Sequence, residues 1–328
     1  MNPSSPNSTP SPQTGEPLPG RYSHPLALYF AATRPAFLTV TLVACLIGLA
    51  SAHAGGVSIN ALTATATVLF ALVAHAGVNV INDYHDARNG ADAANTARLF
   101  PFTGGSRFIQ NGVLSAAQTG RFGYLLLASV VPAGLWLSWH SGPGLVAIGL
   151  AGLFFGWAYS APPLALMSRG LGELAIAGGW LMVVIGTDYV QRGYFDSLPL
   201  LAGVSYALLV ANLLFINQFP DRDGDALAGK RTLVVRLGAE RAKWGYLIIS
   251  LIAYAWLIGL AGEGHLPQKA GIAAFTLVLS LTAGRDLIEH AGDPQALRPA
   301  IKRTILAAHL HGLLLAVSLA LFSGTSAS

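Results

Sequence analysis

Long apolar runs broken by short polar segments set the pattern of this chain. Nine runs recur, over roughly 36–54, 58–83, 122–139, 143–160, 171–190, 198–219, 243–262, 269–288 and 303–322. A helix needs about 20 apolar residues to cross a hydrocarbon core of ~30 Å, and these runs have that scale. They predict an all-α, polytopic membrane protein with about nine transmembrane helices. Gly and Pro inside the runs are compatible with this, since membrane helices tolerate both. Gly149, Gly152 and Gly156, or Gly178 and Gly179, would let helices approach closely.

Residues 1–22, rich in Pro, Ser, Asn and Thr, lack the apolar core of a signal peptide. They read as a disordered cytoplasmic tail. Residues 23–328 read as one transmembrane domain. Its first stretch, His24 to Arg34, is short and aromatic and suits the membrane interface.

Composition agrees with the pattern. The 328 residues are 53% hydrophobic and 10% charged, where a soluble domain is about 25% charged. The single cysteine, Cys45, lies mid-span, which excludes an intrachain disulfide and a cysteine-based metal site. Nothing marks a nucleic-acid-binding surface. Charge becomes informative once mapped on the spans. With the N-terminus in the cytoplasm, only Arg192 and Lys269 of the 19 Lys and Arg fall on the far side. The positive-inside rule supports that orientation. It places the C-terminus outside and the chain in the inner (plasma) membrane.

The chain has 15 acidic residues, and six lie in two stretches that close apolar runs, Asn79–Asp92 and Asn217–Arg231. Asn79, Asp83 and Asp86 are spaced i, i+4, i+7 and share one helix face, while Asn82 stands four before Asp86. Asn217, Asp221 and Asp225 are spaced i, i+4, i+8, with Asp223 turned away. Carboxylates at the end of a membrane helix repel one another and are costly to desolvate. A divalent cation removes that cost. Mg²⁺ takes one or two carboxylates and leaves its other positions to water and phosphate. The expected metal ligands are Asp83, Asp86, Asp92, Asp221 and Asp225, with two Mg²⁺ ions holding one diphosphate between two helices. The bland alternative is a pair of solvated acidic loops. Both stretches fall on the cytoplasmic side of the charge map.

Basic and turn residues follow the acidic stretches. Gly104-Gly105-Ser106 can turn backbone N–H groups toward an anion, and Arg107 beside it can pair with phosphate. Arg169 either reaches the diphosphate or anchors at headgroups, and Lys230 follows just beyond Asp225. Tyr159 stands just before Pro162-Pro163, where an interface aromatic is the plain reading. His75, one turn before Asn79, is either an acceptor contact or a polar residue satisfied between helices. His85 is expected to face the loop. His309 and His311 have no assigned role. The two halves form a weak internal repeat.

These motifs resemble the UbiA-type intramembrane prenyltransferases. The resemblance runs from about residue 30 to the C-terminus. It is carried by Asn79-x-x-Asn82-Asp83-Tyr84-x-Asp86 with Asp92, by Tyr159-Ser160-x-Pro162-Pro163, and by Asn217-x-x-x-Asp221-x-x-x-Asp225 with Gly229-Lys230-Arg231. Gly104-Gly105-Ser106, Arg169-Gly170-Leu171-Gly172-Glu173 and Gly186-Thr187-x-Tyr189-Val190-Gln191 look most like the 1,4-dihydroxy-2-naphthoate polyprenyltransferases of menaquinone synthesis. Asp188 and Phe100-Pro101-Phe102 depart from that pattern. The resemblance implies nine helices around a central cavity, Mg²⁺ on the Asp motifs, a polyprenyl diphosphate donor and an aromatic acceptor. It implies substrate contacts at Asn79, Asn82, Arg107, Tyr159, Arg169, Asn217 and Lys230. A naphthoate pocket is expected among Ala71, Ala74, Ala76, Gly77, Gly152 and Gly156. A 4-hydroxybenzoate-like acceptor is the alternative. A cation transporter is the rival of another class, but it would hold its carboxylates near the midplane. A soluble-type isoprenoid synthase conflicts with the nine apolar runs. Oligomeric state is not legible.

Overall fold

The structure is a computed structural model, described over residues 11–322. The helices are α1 (Pro25–Ala32), α2 (Pro35–Ala54), α3 (Ala61–Asn89), α4 (Ala91–Ala94), α5 (Ala116–Ser141), α6 (Gly144–Ser160), α7 (Gly172–Arg192), α8 (Ser197–Leu227), α9 (Leu233–Leu237), α10 (Ala239–Gly262), α11 (Leu277–His290) and α12 (Arg298–Phe322). Tight 3₁₀ turns over Gln268–Thr276 lead into α11. Among the described residues, eight helical segments are long and apolar enough to cross a membrane. The expected fourth span is α6, only 17 residues long, or about 25 Å at 1.5 Å per residue. Gly142-Pro143 before it and Pro162-Pro163 after it limit its length.

Two helices overrun the lengths expected from hydropathy, and both carry acidic motifs. Helix α3 has 29 residues. Asn60 caps its start by accepting from Leu62 N and Thr63 N, and Gly90, at φ 86°, ends it. Helix α8 has 31 residues, is capped by Asp196 and passes Pro220 unbroken. The Asn-x-x-x-Asp spacings are therefore truly helical, and each motif projects as a helical extension from its span.

Packing holds the two extensions side by side. Val43 and Ile47 of α2 pack with Val184 of α7, Tyr206 and Val210 of α8, and Leu315 and Leu319 of α12. Gly312 sits where a Cβ would meet Val43 and Tyr206, and the Tyr206 hydroxyl donates to Val40 O at 2.6 Å. A second core joins Phe215, Ile216 and Phe219 of α8 to Tyr246, Leu287 and Ile301.

Asp188 finds its explanation at the end of α7 away from the acidic motifs. Arg192 donates to both of its carboxylate oxygens, at 2.7 and 2.8 Å, in a buried pair one turn apart. At the other end of the bundle, residues 11–22, expected as part of a disordered tail, run in turns against the loop between α4 and α5. Residues 1–10 of that expected tail lie outside the described residues.

Candidate active site

The two acidic extensions meet through one lysine. Gly229, at φ +74°, turns the chain after α8, and Lys230 folds back beneath it. The Lys230 ammonium lies 3.0 Å from Asp225 Oδ1 and 3.1 and 3.2 Å from the two Asp86 oxygens. Asp86 also accepts from Asn82 Nδ2 and Asn89 Nδ2, each at 3.1 Å. A second link runs through Asn95, whose amide donates to Asp221 Oδ1. Gly224 permits this approach, because a Cβ there would come within 2.9 Å of the Asn95 backbone. Sequence reasoning missed Asn95, which sits in a loop with no periodicity to mark it.

The loop from Asn95 to Leu114 closes the site from the side. Ser106 N–H donates to Asp83 Oδ1 at 3.1 Å. Gly104 and Gly105 both have φ above +70°. A Cβ on Gly104 would strike the Arg98 side chain, and one on Gly105 would strike the Asp92 carboxylate. The Gly-Gly pair is needed here for both shape and space. Asp92 accepts from Gln110 Nε2 at 3.3 Å.

Asp83, Asp86, Asp92, Asp221, Asp225, Asn82 and Lys230 thus belong to one region. The remaining expected contacts have other partners in the structure. Arg169 is exposed and donates to Pro163 O at 2.8 Å. Asn79 donates to Thr33 O at 3.1 Å, and Asn217 to Phe102 O at 3.4 Å. Arg107 is buried in the loop, with its Nη1 on Asp92 O and Glu16 nearby. Asp223 pairs with Arg222 on an exposed face.

Among the described residues, no three His, Cys, Asp or Glu side chains converge as a ready metal ligand set. The carboxylates come in pairs instead. This donor set still fits a hard cation such as Mg²⁺, which asks for oxygen and takes one or two carboxylates per ion. Asp83 Oδ2, Asn95 Oδ1 and Asn217 Oδ1 are buried oxygens without a hydrogen-bond partner among the described residues. Buried polar atoms rarely stay unpaired, and these three oxygens keep a capacity to accept from a donor or a cation.

The charges outside the spanning helices carry the same tension. Burial, with Asp86, Asp83 and Asp221 as like-charged neighbours, pushes the Asp92 carboxyl well above its ordinary range despite Lys230. Burial works against the Lys230 ammonium, yet Asp86 and Asp225 raise its pKa above that of a free lysine.

Below the acidic region, on the same face of α3, opens an apolar cavity of about 310 Å³. His75, Val78, Phe155, Gly156, Tyr159 and Trp180 line it near its head. Val131 and Leu135 of α5 and Val146 and Leu150 of α6 line it farther along, and these four are exposed on the outer surface. The cavity therefore reaches the lipid-facing side between α5 and α6. Ala71, Ala74, Gly152 and Gly156 line it as expected, but Ala76 and Gly77 do not. Gly77 faces Leu126 and Leu127 of α5 instead, where a Cβ would clash at 2.8 Å. Within this apolar wall His75 Nδ1 meets Thr41 Oγ1 at 2.8 Å. The His75 ring stands edge-on to Trp180 at 5.0 Å. The buried Trp180 Nε1–H has no partner among the described residues.

Residues 41–306, which hold both acidic motifs, match the profile of the UbiA prenyltransferase family. The chain is a member of the UbiA prenyltransferase family. It is accordingly a prenyltransferase and a multi-pass membrane protein. Among its relatives is a 1,4-dihydroxy-2-naphthoate octaprenyltransferase of Mycobacterium tuberculosis, 32% identical over 68% of each chain. Another enzyme of that name, from Haemophilus influenzae, is 26% identical over 90% of this chain and 96% of its own. The fold matches that of a UbiA homolog from Archaeoglobus fulgidus solved with DMAPP and Mg²⁺. The TM-score is 0.61 at 16% identity, over 88% of this chain and 99% of that one. A homolog from Aeropyrum pernix gives 0.63 over 85% and 97%.

Proposed function

We propose that this prenyltransferase moves a polyprenyl group from its diphosphate to 1,4-dihydroxy-2-naphthoate, with Mg²⁺ as its metal. The observation that carries the reading is the Asp86–Lys230–Asp225 bridge, which joins both acidic motifs at the head of an apolar cavity. The naphthoate assignment draws on the relatives of that activity. The metal draws on the buried acceptor oxygens.

Asp83, Asp86, Asp221 and Asp225 would hold the cations, with Asp92 behind them. Mg²⁺, when bound, neutralises the diphosphate and stabilises the charge that develops as it leaves. Lys230 adds a fixed positive charge on the same side. The polyprenyl tail lies in the cavity and passes out between α5 and α6 into lipid. Tyr159 lines the cavity within electrostatic reach of Lys230 and Asp86. In this reading its ring would stabilise the allylic cation by cation–π attraction. The C–O bond to the diphosphate breaks, and the diphosphate keeps the electron pair. The acceptor ring carbon that bears the carboxylate forms the new C–C bond. That carbon then loses CO₂, and the electrons of the broken bond restore the ring. Active site and N-terminus face the cytoplasm in this reading, where water-soluble acceptor and Mg²⁺ are available.

At 310 Å³ the cavity sits at the small end of ligand pockets, ~300–1,000 Å³. Ala71, Ala74, Gly152 and Gly156 at its wall leave room for a bicyclic ring. Pocket discrimination on one apolar ring is modest, so the expectation is a preference. Purified protein given one labelled donor and both acceptors in competition tests it. Faster prenylation of the naphthoate is expected. Prenylated 4-hydroxybenzoate as the sole product would overturn the acceptor assignment.

A further inference from the structure

The N-terminal segment ahead of the family-matched region has a role that its composition hides. Residues 11–22 form neither helix nor strand, yet they are seated on the loop between α4 and α5 at several points. Glu16 is 1% exposed. Its Oε1 accepts from Arg98 Nε at 2.7 Å, and its Oε2 accepts from Asn111 Nδ2 at 3.0 Å and lies 3.9 Å from Arg107 Nε. Gln13 brackets the same loop, donating to Arg98 O at 2.8 Å and accepting from Phe100 N at 3.1 Å. Arg98 Nη2 donates to Ser11 O at 3.0 Å. Farther on, Tyr22 stacks on Phe108, with ring centroids 5.6 Å apart.

The charge balance makes Glu16 more than a surface contact. Arg98 and Arg107 are each 1% exposed, and Glu16 is the carboxylate paired with both. Burying a guanidinium without a counter-charge is strongly unfavourable. Burial opposes ionisation of Glu16, but the hydrogen bonds from Arg98 and Asn111 hold its carboxyl below the usual range. The two arginines in turn support the catalytic side of the loop. Arg98 packs directly against Gly104. Arg107 Nη1 holds the Asp92 carbonyl. Between them, Gly105 faces the Asp92 carboxylate and Ser106 N–H holds Asp83.

We propose that the segment from Ser11 to Tyr22 is a strap that completes the donor site, with Glu16 as the positioning residue that fixes the Gly104–Arg107 turn against Asp83 and Asp92 through Arg98 and Arg107. No residue of the strap lines the apolar cavity. Loss of Glu16 therefore acts on the diphosphate end alone. The proposal rests on the reading of Asp83 and Asp92 as donor-site groups, but not on which acceptor is used.

The test compares full-length Glu16→Gln and Gln13→Ala with the parent in detergent. Hydrogen exchange of the amides over residues 98–111 is read without any substrate. KM for polyprenyl diphosphate and KM for the acceptor are read separately. For Glu16→Gln the expected result is faster exchange concentrated in that loop and the α3 end, and a donor KM raised about tenfold, equal to ~1.4 kcal/mol, with acceptor KM unchanged. Gln13→Ala keeps the charge pair and should move the same readouts in the same direction by less. Glu16→Asp should restore most of the donor KM. Unchanged loop exchange in both variants, or a donor KM within twofold of the parent, would overturn the strap. Equal increases in both KM values would do the same. Faster exchange is read without catalysis, so an error in the acceptor assignment leaves the test intact.

Discussion

Replacing Lys230 with Met tests the bridge between the two acidic motifs. Met keeps the length of the side chain and removes its charge. In the parent, one ammonium with 6% side-chain exposure serves Asp86 and Asp225 at 3.0–3.2 Å. Its removal leaves those two carboxylates buried and facing each other. Breaking a buried charge pair costs about 3–5 kcal/mol, and the lower figure applies here because carboxylates can recruit a proton or cation. At ~2 °C per kcal/mol for a large chain, the melting midpoint in EDTA should fall by about 6 °C. A divalent cation offers the same carboxylates a replacement charge. At a hundredfold excess over its Kd, a ligand of the folded state adds about 2.7 kcal/mol, enough to return most of the loss. The assay is thermal unfolding in detergent, followed by fluorescence, with EDTA or with excess Mg²⁺. The variant should respond to Mg²⁺ more than the parent does. An EDTA midpoint equal to the parent's, with no larger response to Mg²⁺, would refute the reasoning.

Three further outcomes follow from the same geometry. Asp92→Asn should raise the melting midpoint at pH 7–8 while lowering transfer, since it removes a buried carboxyl whose ionisation the burial and three neighbouring carboxylates oppose. The folded-state pKa of Asp92 is raised, so its stabilising contribution is present below the ordinary value of ~3.9 and lost as pH rises through the folded value; the Asn variant should lack that loss in a pH series of melting curves. Asp221→Ala and Asp225→Ala should each cut turnover by about 10²-fold or more, as loss of transition-state charge stabilisation does. Asp223→Ala should stay within about fivefold, because an exposed pair contributes at most ~1 kcal/mol. Trp180→Phe keeps an aromatic side chain and removes an N–H that has no partner among the described residues; on the reading that the acceptor in the cavity takes that N–H, acceptor KM should rise about fivefold, the worth of one hydrogen bond at ~1 kcal/mol, with donor KM unchanged.

How much of this was legible in the sequence depends on whether the signal was periodic. Apolar runs and the i, i+4 spacing of Asn79, Asp83, Asn217 and Asp221 are local patterns, and the structure keeps them. Their helical extent was underread, because hydropathy ends where α3 and α8 turn polar while their hydrogen bonding continues to Asn89 and Leu227. Long-range pairings left no such trace. Asn95 reaches Asp221 across 126 positions, and Glu16 reaches Arg98 across 82. A Pro- and Ser-rich composition describes how a segment behaves alone, not the buried arginines waiting for its one carboxylate. Charge and nearness in sequence point Arg107 to phosphate and leave Arg169 between phosphate and the headgroups. Arg107 was instead drawn inward by Glu16 and the Asp92 carbonyl, and Arg169 outward to Pro163. Gly77 was read as pocket space and proved to be a helix contact, since a small residue carries no sign of which face it serves.

The central claim is that the carboxylates of α3 and α8 form one diphosphate site across Lys230. The most direct measurement is diphosphate release from a polyprenyl diphosphate by the purified protein with acceptor present. It should be run with Mg²⁺ or EDTA, and for Asp86→Asn, Asp225→Asn and the double variant. A single shared site predicts Mg²⁺-dependent release, a large loss in either single variant, and little further loss in the double variant. Release that persists in EDTA, or losses that multiply as for two independent sites, would contradict it.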